Sequence, residues 1–341
     1  MINDSAAALA AAMLLLCPMV SRAGSPQIVS VKKIWGSAPH SASGDLVRYK
    51  NNFLCAFKEA GGHVSRVIGR QDNGKLRIIE SADGSSWSSV ALIAEDGIDL
   101  RDPHFSVMPD GRLMMIAGGT TWSKDARYVK RRTRVFFSTN GRDWTPPQTI
   151  LADEDWLWRV TWHGKRAYGV AYQGGGGGPA PRGGQLYSGT DGIHYERIAE
   201  MEVPGINETT LRVLPGGDMV AMARREYENM HGWIGVSKPP YGSGTGRRRL
   251  TGLPGPTSSN CRIRAFGRAA GLHLPDPPPG PGVGQTALGT ISRTSYERVL
   301  ILPSNGDNAY SGMVWHDSLL WMIYYSTHEE QTSICLAKIR F

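Results

Sequence analysis

The sequence predicts an all-β fold, a β-propeller of six sheets, on three observations. A hairpin signature recurs at a spacing of roughly fifty residues. Short alternating apolar runs are separated by turn residues throughout. Forty-two glycines and 21 prolines in 341 residues suit a chain that reverses direction many times. Sheets arranged around an axis leave only short exposed edges, which a repeat of short strands requires.

The first signature is Ser81-Ala82-Asp83-Gly84-Ser85-Ser86-Trp87, repeated as Ser138-Thr139-Asn140-Gly141-Arg142-Asp143-Trp144. A weaker copy is Thr190-Asp191-Gly192-Ile193-His194-Tyr195. Each follows an apolar run, such as Leu76 to Glu80 or Arg134 to Phe137. Asp or Asn bonds its own turn backbone, Gly takes positive φ, and the aromatic folds back. A second hairpin element is Met108-Pro109-Asp110-Gly111-Arg112-Leu113, matched by Leu214-Pro215-Gly216-Gly217-Asp218-Met219. The units fall at about 40–95, 96–152, 153–202, 203–240, 241–300 and 301–341, with 24–39 as a lead-in.

Residues 1–23 read as a signal peptide. Ala6 to Leu16 is apolar, and Ser21-Arg22-Ala23 places small residues where a signal peptidase reads. Export to a secreted or periplasmic location follows. Lipid anchoring at Cys17 is the weaker reading, because Leu14-Leu15-Leu16 precede it where small residues belong. The run is too short to span a bilayer, so no stable membrane insertion is expected.

The formal charge of +8 is concentrated in one place. Between Gly242 and Gly284 six arginines (247, 248, 249, 262, 264, 268) face one acid, Asp276, which supplies +5 of it. A basic stripe with interleaved aromatics is not visible, so no nucleic-acid partner is expected. Cys55, Cys261 and Cys335 show no metal-type spacing. No metal site and no cofactor are implied.

Residues 242–284 lack alternation and are loaded with Gly, Pro, Arg and Ser, so the fifth sheet is expected to be disrupted there. Two readings stand: a disordered insertion, or a pair of compensating frameshifts enclosing that sheet. A shifted frame permits Trp-x-Trp across Ser243 to Gly246 and Pro-Asn-Phe across Pro256 to Ile263.

Chemistry is sought where loops at one face converge on the axis. The polar residues at strand ends are His40, Asp45, Lys58, Glu59 and His63, then Asp99, Arg101 and Asp102. Arg159 and Tyr172 follow in the third unit, and Glu208, Arg224, Arg225, Glu226 and His231 in the fourth. The last unit offers Tyr310, Tyr325 and His328. Asn207-Glu208 opens a strand, Pro215 to Asp218 turns it, and Arg224-Arg225-Glu226 ends the return strand. A carboxylate and two guanidiniums at neighbouring strand ends can share a pocket. They can equally form a rim ion pair.

The stretch Ile206 to Glu226, the repeated Asp-box turns and Ala309-Tyr310-Ser311 together resemble the sialidase superfamily. His231 to Tyr241 is similar to that family as well. The resemblance spans most of residues 40–341 and implies a six-bladed propeller with an exo-sialidase type of glycoside hydrolysis. It implies Tyr310 as nucleophile, polarised by Glu208, and Arg224 as an arginine for a substrate carboxylate. A phenol suits an acidic sugar because it does not repel the substrate as a carboxylate does. Arg101-Asp102-Pro103 resembles a pocket-lining segment, and Asp45 is the carboxylate nearest the family's acid/base position. Arg159, His40, His63, Glu59, Tyr325 and His328 complete the candidate substrate-binding set. The chain departs from the family at His40-Ser41-Ala42, where the family has Arg-Ile-Pro. The partner implied is a glycan or glycoconjugate. The alternatives are a non-catalytic carbohydrate-binding propeller and a degraded, inactive relative.

Overall fold

The computed structural model describes residues 25–63, 73–174, 182–226, 232–242, 251–252, 258–263, 270–274, 285–291 and 296–341. Residues 182, 251–252, 258–263, 270–274 and 296 are described in backbone only. The signal segment 1–23, the reading-frame question across most of 242–284, and His231 lie outside the described residues.

The fold is an all-β propeller. Its backbone forms six four-stranded antiparallel sheets. A single strand, β1 (Gln27–Trp35), precedes them. The first sheet is β2 (His40–Tyr49), β3 (Asn52–Ala60), β4 (Lys75–Ser81) and β5 (Ser88–Ile93). The second is β6 (Ile98–Val107), β7 (Leu113–Trp122), β8 (Tyr128–Ser138) and β9 (Gln148–Ile150). The third is β10 (Trp156–His163), β11 (Arg166–Gln173), β12 (Arg182–Gly189) and β13 (Tyr195–Met201). The fourth is β14 (Ile206–Val213), β15 (Met219–Arg225), β16 (Trp233–Ser237) and β17 (Thr251–Gly252). The next is β18 (Ser258–Ile263), β19 (Ala270–Leu274), β20 (Gln285–Ile291) and β21 (Tyr296–Ile301). The last is β22 (Asn308–His316), β23 (Leu319–Ser326), β24 (Ser333–Arg340) and β1.

Five of these sheets are defined by side chains on their three inner strands. In the sheet β18–β21, side chains are described only on the outer half, β20 and 297–301. Its backbone strands nevertheless fall partly inside the segment expected to be disrupted.

The first strand of each sheet lies nearest the axis and packs on its neighbours in turn, β2 on β6 and β22, β10 on β6 and β14, β18 on β14 and β22. Such strands are covered on both faces, and β2 is buried at nine of its ten positions with no alternation. Outer strands show the reverse: β5 has no buried position. This gradient hides the inner strands from a period-2 search.

The lead-in 24–39 is not a passive linker. β1 pairs antiparallel with β24 from Gln27↔Arg340 to Trp35↔Ile334, so the N-terminal strand completes the last sheet. Closing the ring with both ends of the chain removes a free edge.

The repeated turns share one set of bonds. Gly84 N and Gly141 N each donate to the serine hydroxyl three residues before, at 2.8 Å. Asp83, Asn140 and Asp191 each accept from backbone N–H groups two residues on. Gly84, Gly141 and Gly192 sit at φ of 71, 79 and 81°. The ring of Trp87 folds back to donate to Gly84 O at 3.3 Å.

Candidate functional site

Five of the six inner strands break their register at the same place. Pairing slips between Ala42 and Asp45, Arg101 and His104, Leu157 and Val160, Ile206 and Thr209, and Ala309 and Gly312. A bulge opposes two residues to one, bends the strand and re-aims the side chains it frees. The freed pairs are 43–44, 102–103, 158–159, 207–208 and 310–311. Four of them carry Asp102, Arg159, Glu208 and Tyr310. The φ angles of Ser43, Asp102 and Tyr310 are 56, 53 and 41°. Left-handed backbone at non-glycine residues in three equivalent bulges marks a concentration of strain.

Two of these bulges meet. Tyr310 Oη donates to Glu208 Oε1 at 2.7 Å, and Arg224 Nη1 lies 3.2 Å from the same oxygen. Arg224 Nη2 also reaches Glu226 at 2.7 Å. Among the described residues Glu208 Oε2 is buried with no hydrogen-bond partner. Burial pushes the Glu208 carboxyl up to about 7, with Asp102 adding to the rise and Arg224 and Tyr310 opposing it. Burial, with the charges of Glu208 and Asp102, holds the Tyr310 phenol well above its usual range. Burial works against the Arg224 cation, and the negative charge of Glu208 overrides it.

Asp102 faces this pair closely enough to raise Glu208, Tyr310, Tyr325 and Tyr172. Arg101 Nη2 donates to Asp99 Oδ2 at 2.5 Å, and Lys58 Nζ lies 3.3 Å from Asp99 Oδ1. Burial, reinforced by Arg101, brings the Lys58 ammonium down to about 8 against the pull of Asp99.

Aromatic rings pack around the Tyr310–Glu208 pair. Trp158 lies 5.5 Å from the Tyr310 ring, and Tyr172 stacks on Trp156 at 5.8 Å. Tyr325 stacks on Tyr310 at 6.0 Å and donates to Asp307 Oδ1 at 3.1 Å. Asp307 Oδ2 in turn meets His40 Nε2 at 2.9 Å and His63 Nδ1 at 2.7 Å. Burial draws His40 down, against the bond from Asp307. Asp307 escapes a reading of the sequence because Ser304-Asn305-Gly306-Asp307 looks only like a turn.

Several expected site residues have other work. Asp45 is fully buried, and its carboxylate accepts from Leu46 N, Phe105 N and Arg159 Nη1 at 2.9, 3.0 and 3.1 Å. No room remains for it to exchange protons with a ligand, so the acid/base expectation for Asp45 is corrected. Arg159, aimed at the axis by its bulge, spends its guanidinium on Asp45 and on Ser311 O at 3.2 Å. It ties sheets together beneath the pocket. Glu59 accepts from Trp35 Nε1 at 2.6 Å and from Arg77 at 3.0 and 2.9 Å, bracing β1 against the first sheet. His328 stands exposed on the turn after β23, with Nδ1 2.8 Å from Ser326 Oγ. Arg225 donates to Pro204 O and covers the Trp233 ring at 4.4 Å. The structure brings together Tyr310, Glu208, Arg224, Asp102, Arg101, Tyr325, His40 and His63.

No family model and no curated protein matches the chain. Solved structures do match in fold. A Dyadobacter fermentans protein of unknown function is 15% identical with a TM-score of 0.73, over 93% of this chain and 99% of that one. Trypanosoma rangeli sialidase is 12% identical with a TM-score of 0.67, over 88% of this chain and 55% of that one. The Hadza microbial sialidase Hz136 is 13% identical with a TM-score of 0.65, over 90% and 68%. This chain thus spans about half the trypanosomal protein. At these identities the fold is shared: a sialidase-like propeller.

Proposed function

We propose that the chain is an exported glycoside hydrolase of exo-sialidase type, on a six-bladed propeller, acting on terminal sugars of acidic character. The observation that carries this reading is the 2.7 Å bond from Tyr310 to Glu208, formed where two bulges face each other. Tyr310 Oη attacks the anomeric carbon while its proton passes to Glu208. The tyrosyl–carbon bond forms as the glycosidic bond breaks, and the departing oxygen takes a proton from solvent water. Water then attacks the same carbon and gives a proton back to solvent as the tyrosyl–carbon bond breaks, and Glu208 returns its proton to the Tyr310 oxygen. A neutral phenol approaches an anionic sugar without the repulsion a carboxylate meets. Arg224 and Arg101 supply positive charge beside it. Structures of T. rangeli sialidase hold sialic acid and, as a covalent intermediate, 2,3-difluorosialic acid.

The test is a panel of methylumbelliferyl glycosides of ulosonic and uronic acids, followed by mass spectrometry with a 2,3-difluoro-ulosonic acid. Turnover of one member, a covalent adduct on Tyr310, and loss of both in Tyr310→Phe support the reading. Equal activity of Tyr310→Phe and wild type overturns it.

A carbohydrate-binding propeller without turnover is the second reading. Arg224 favours it, since both its terminal nitrogens are committed to Glu208 and Glu226. Sugar binding by both proteins with no adduct would select it.

A further inference from the structure

We propose that His40, His63 and Asp307 form a binding site for one divalent transition metal of zinc character. Three separate segments supply the ligands: the start of β2, the loop after β3 and the turn before β22. One donor atom from each lies within 4.8 Å of the others. His40 Nε2 and His63 Nδ1 stand 2.9 and 2.7 Å from the same oxygen, Asp307 Oδ2. Metal–ligand bonds of about 2.0–2.1 Å in a tetrahedral site place donor atoms roughly 3.3 Å apart. The two imidazole–carboxylate distances therefore need to open by about half an ångström, and the two imidazole nitrogens, within 4.8 Å of each other, need to close on the same ion.

The surroundings fit a metal site on a second count. Asp307 Oδ1 accepts from Tyr325 Oη at 3.1 Å, so the other oxygen of the ligating carboxylate is oriented from outside. Exposure is graded across the set. The side chain of His40 is 8% exposed, that of Asp307 34% and that of His63 53%. The cluster is anchored on its protein side and open on the other, as three-ligand sites with a free position are. Two imidazoles and one carboxylate select zinc, iron(II) or nickel over calcium and magnesium, which prefer an all-oxygen shell. An oxygen of a carbohydrate, hydroxyl or carboxylate, is the ligand class that suits the free position.

The competing arrangement is a carboxylate bonded to two imidazoles with no metal. Zinc titration by calorimetry, after chelation and dialysis of the full chain, separates the two without any assay of turnover. Cobalt(II) absorption in the visible reports the ligand set. One equivalent of zinc is expected in wild type, weakened by about 100-fold or more in His63→Ala and Asp307→Asn. Tyr325→Phe is expected to weaken it by roughly 10–100-fold. His63 is exposed on a loop, so its variant keeps the fold even if Asp307→Asn does not, and it carries the test alone if needed. Zinc binding equal in wild type and His63→Ala, whether present in both or absent from both, overturns the proposal.

Discussion

Tyr310 donates its hydroxyl to Glu208 across 102 residues of sequence, at 2.7 Å. Each residue sits in the bulge of an inner strand. The pair has one electrostatic consequence. A buried carboxylate with a half-balanced charge is held near neutrality, at about 7, where a general base works best.

The pH dependence of turnover follows. Only ionised Glu208 accepts the Tyr310 proton, so kcat/KM for an active glycoside should rise as pH increases through about 7. Glu208→Gln should remove that limb and lower the rate by roughly 10²–10⁴-fold. A rate profile flat across neutral pH would separate Glu208 from the proton transfer.

Stability should show the same group with its own sign. Glu208 titrates higher in the folded chain, at about 7, than the ordinary carboxyl at 4.5. The folded state therefore holds more proton between those values. The stabilising effect of protonation is complete below the lower value and lost as pH rises through the upper one. Relative to Glu208→Gln, wild type should lose up to about 3 kcal/mol between pH of about 5 and about 8. Urea unfolding of both proteins at those two values measures it. A difference independent of pH would contradict the shift.

Asp45 and Arg159 form a second pair, 3.1 Å apart, with side chains 0 and 4% exposed. Asp45→Ala leaves the arginine charge buried without its carboxylate and should cost roughly 3–5 kcal/mol. The double variant Asp45→Ala with Arg159→Met should recover a large part of that loss. Denaturant midpoints of the single and double variants check this, and a double variant no better than the single refutes it.

How legible the site was in the sequence depended on what each residue signals locally. The turns at Asp83 and Asn140 announce themselves, because Asp or Asn, Gly and an aromatic serve the turn that contains them. Glu208, Arg224 and Tyr310 stand out as polar residues at strand ends, and only the resemblance of their strands to a family gives each a role. Asp45 and Arg159 carry the same strand-end signal, yet they serve the fold for a physical reason. Their charges cancel each other beneath the pocket, and the partner lies 114 residues away. Asp307 carries no signal of its own, because a turn residue and a ligand-facing carboxylate look alike in one dimension. The bulges were invisible, since a slip in pairing depends on a second strand. The strand β1 looks like a lead-in in sequence because its pairing partner is at the opposite end of the chain.

Gly312 offers the sharpest test of how the ring closes. It directly follows the 310–311 bulge, where β22 passes β2, and a Cβ there would stand 2.0 Å from Leu46 N and 2.6 Å from Asp45 Oδ1. The Leu46 contact is backbone, and Asp45 is held by Arg159, so neither can give way as a flexible side chain does. Gly312→Ala should therefore destabilise by about 1–3 kcal/mol or more through overpacking. Gly216, at a hairpin tip, is the control. A Cβ there meets nothing within 4 Å, and its φ lies outside the left-handed region. Gly216→Ala should be neutral or stabilise by about 0.4–1 kcal/mol, since alanine restricts the unfolded chain. Thermal melts of the two variants beside wild type decide the matter: equal melting points would mean that β22 and β2 are not in the close approach on which the Arg159–Asp45 brace depends.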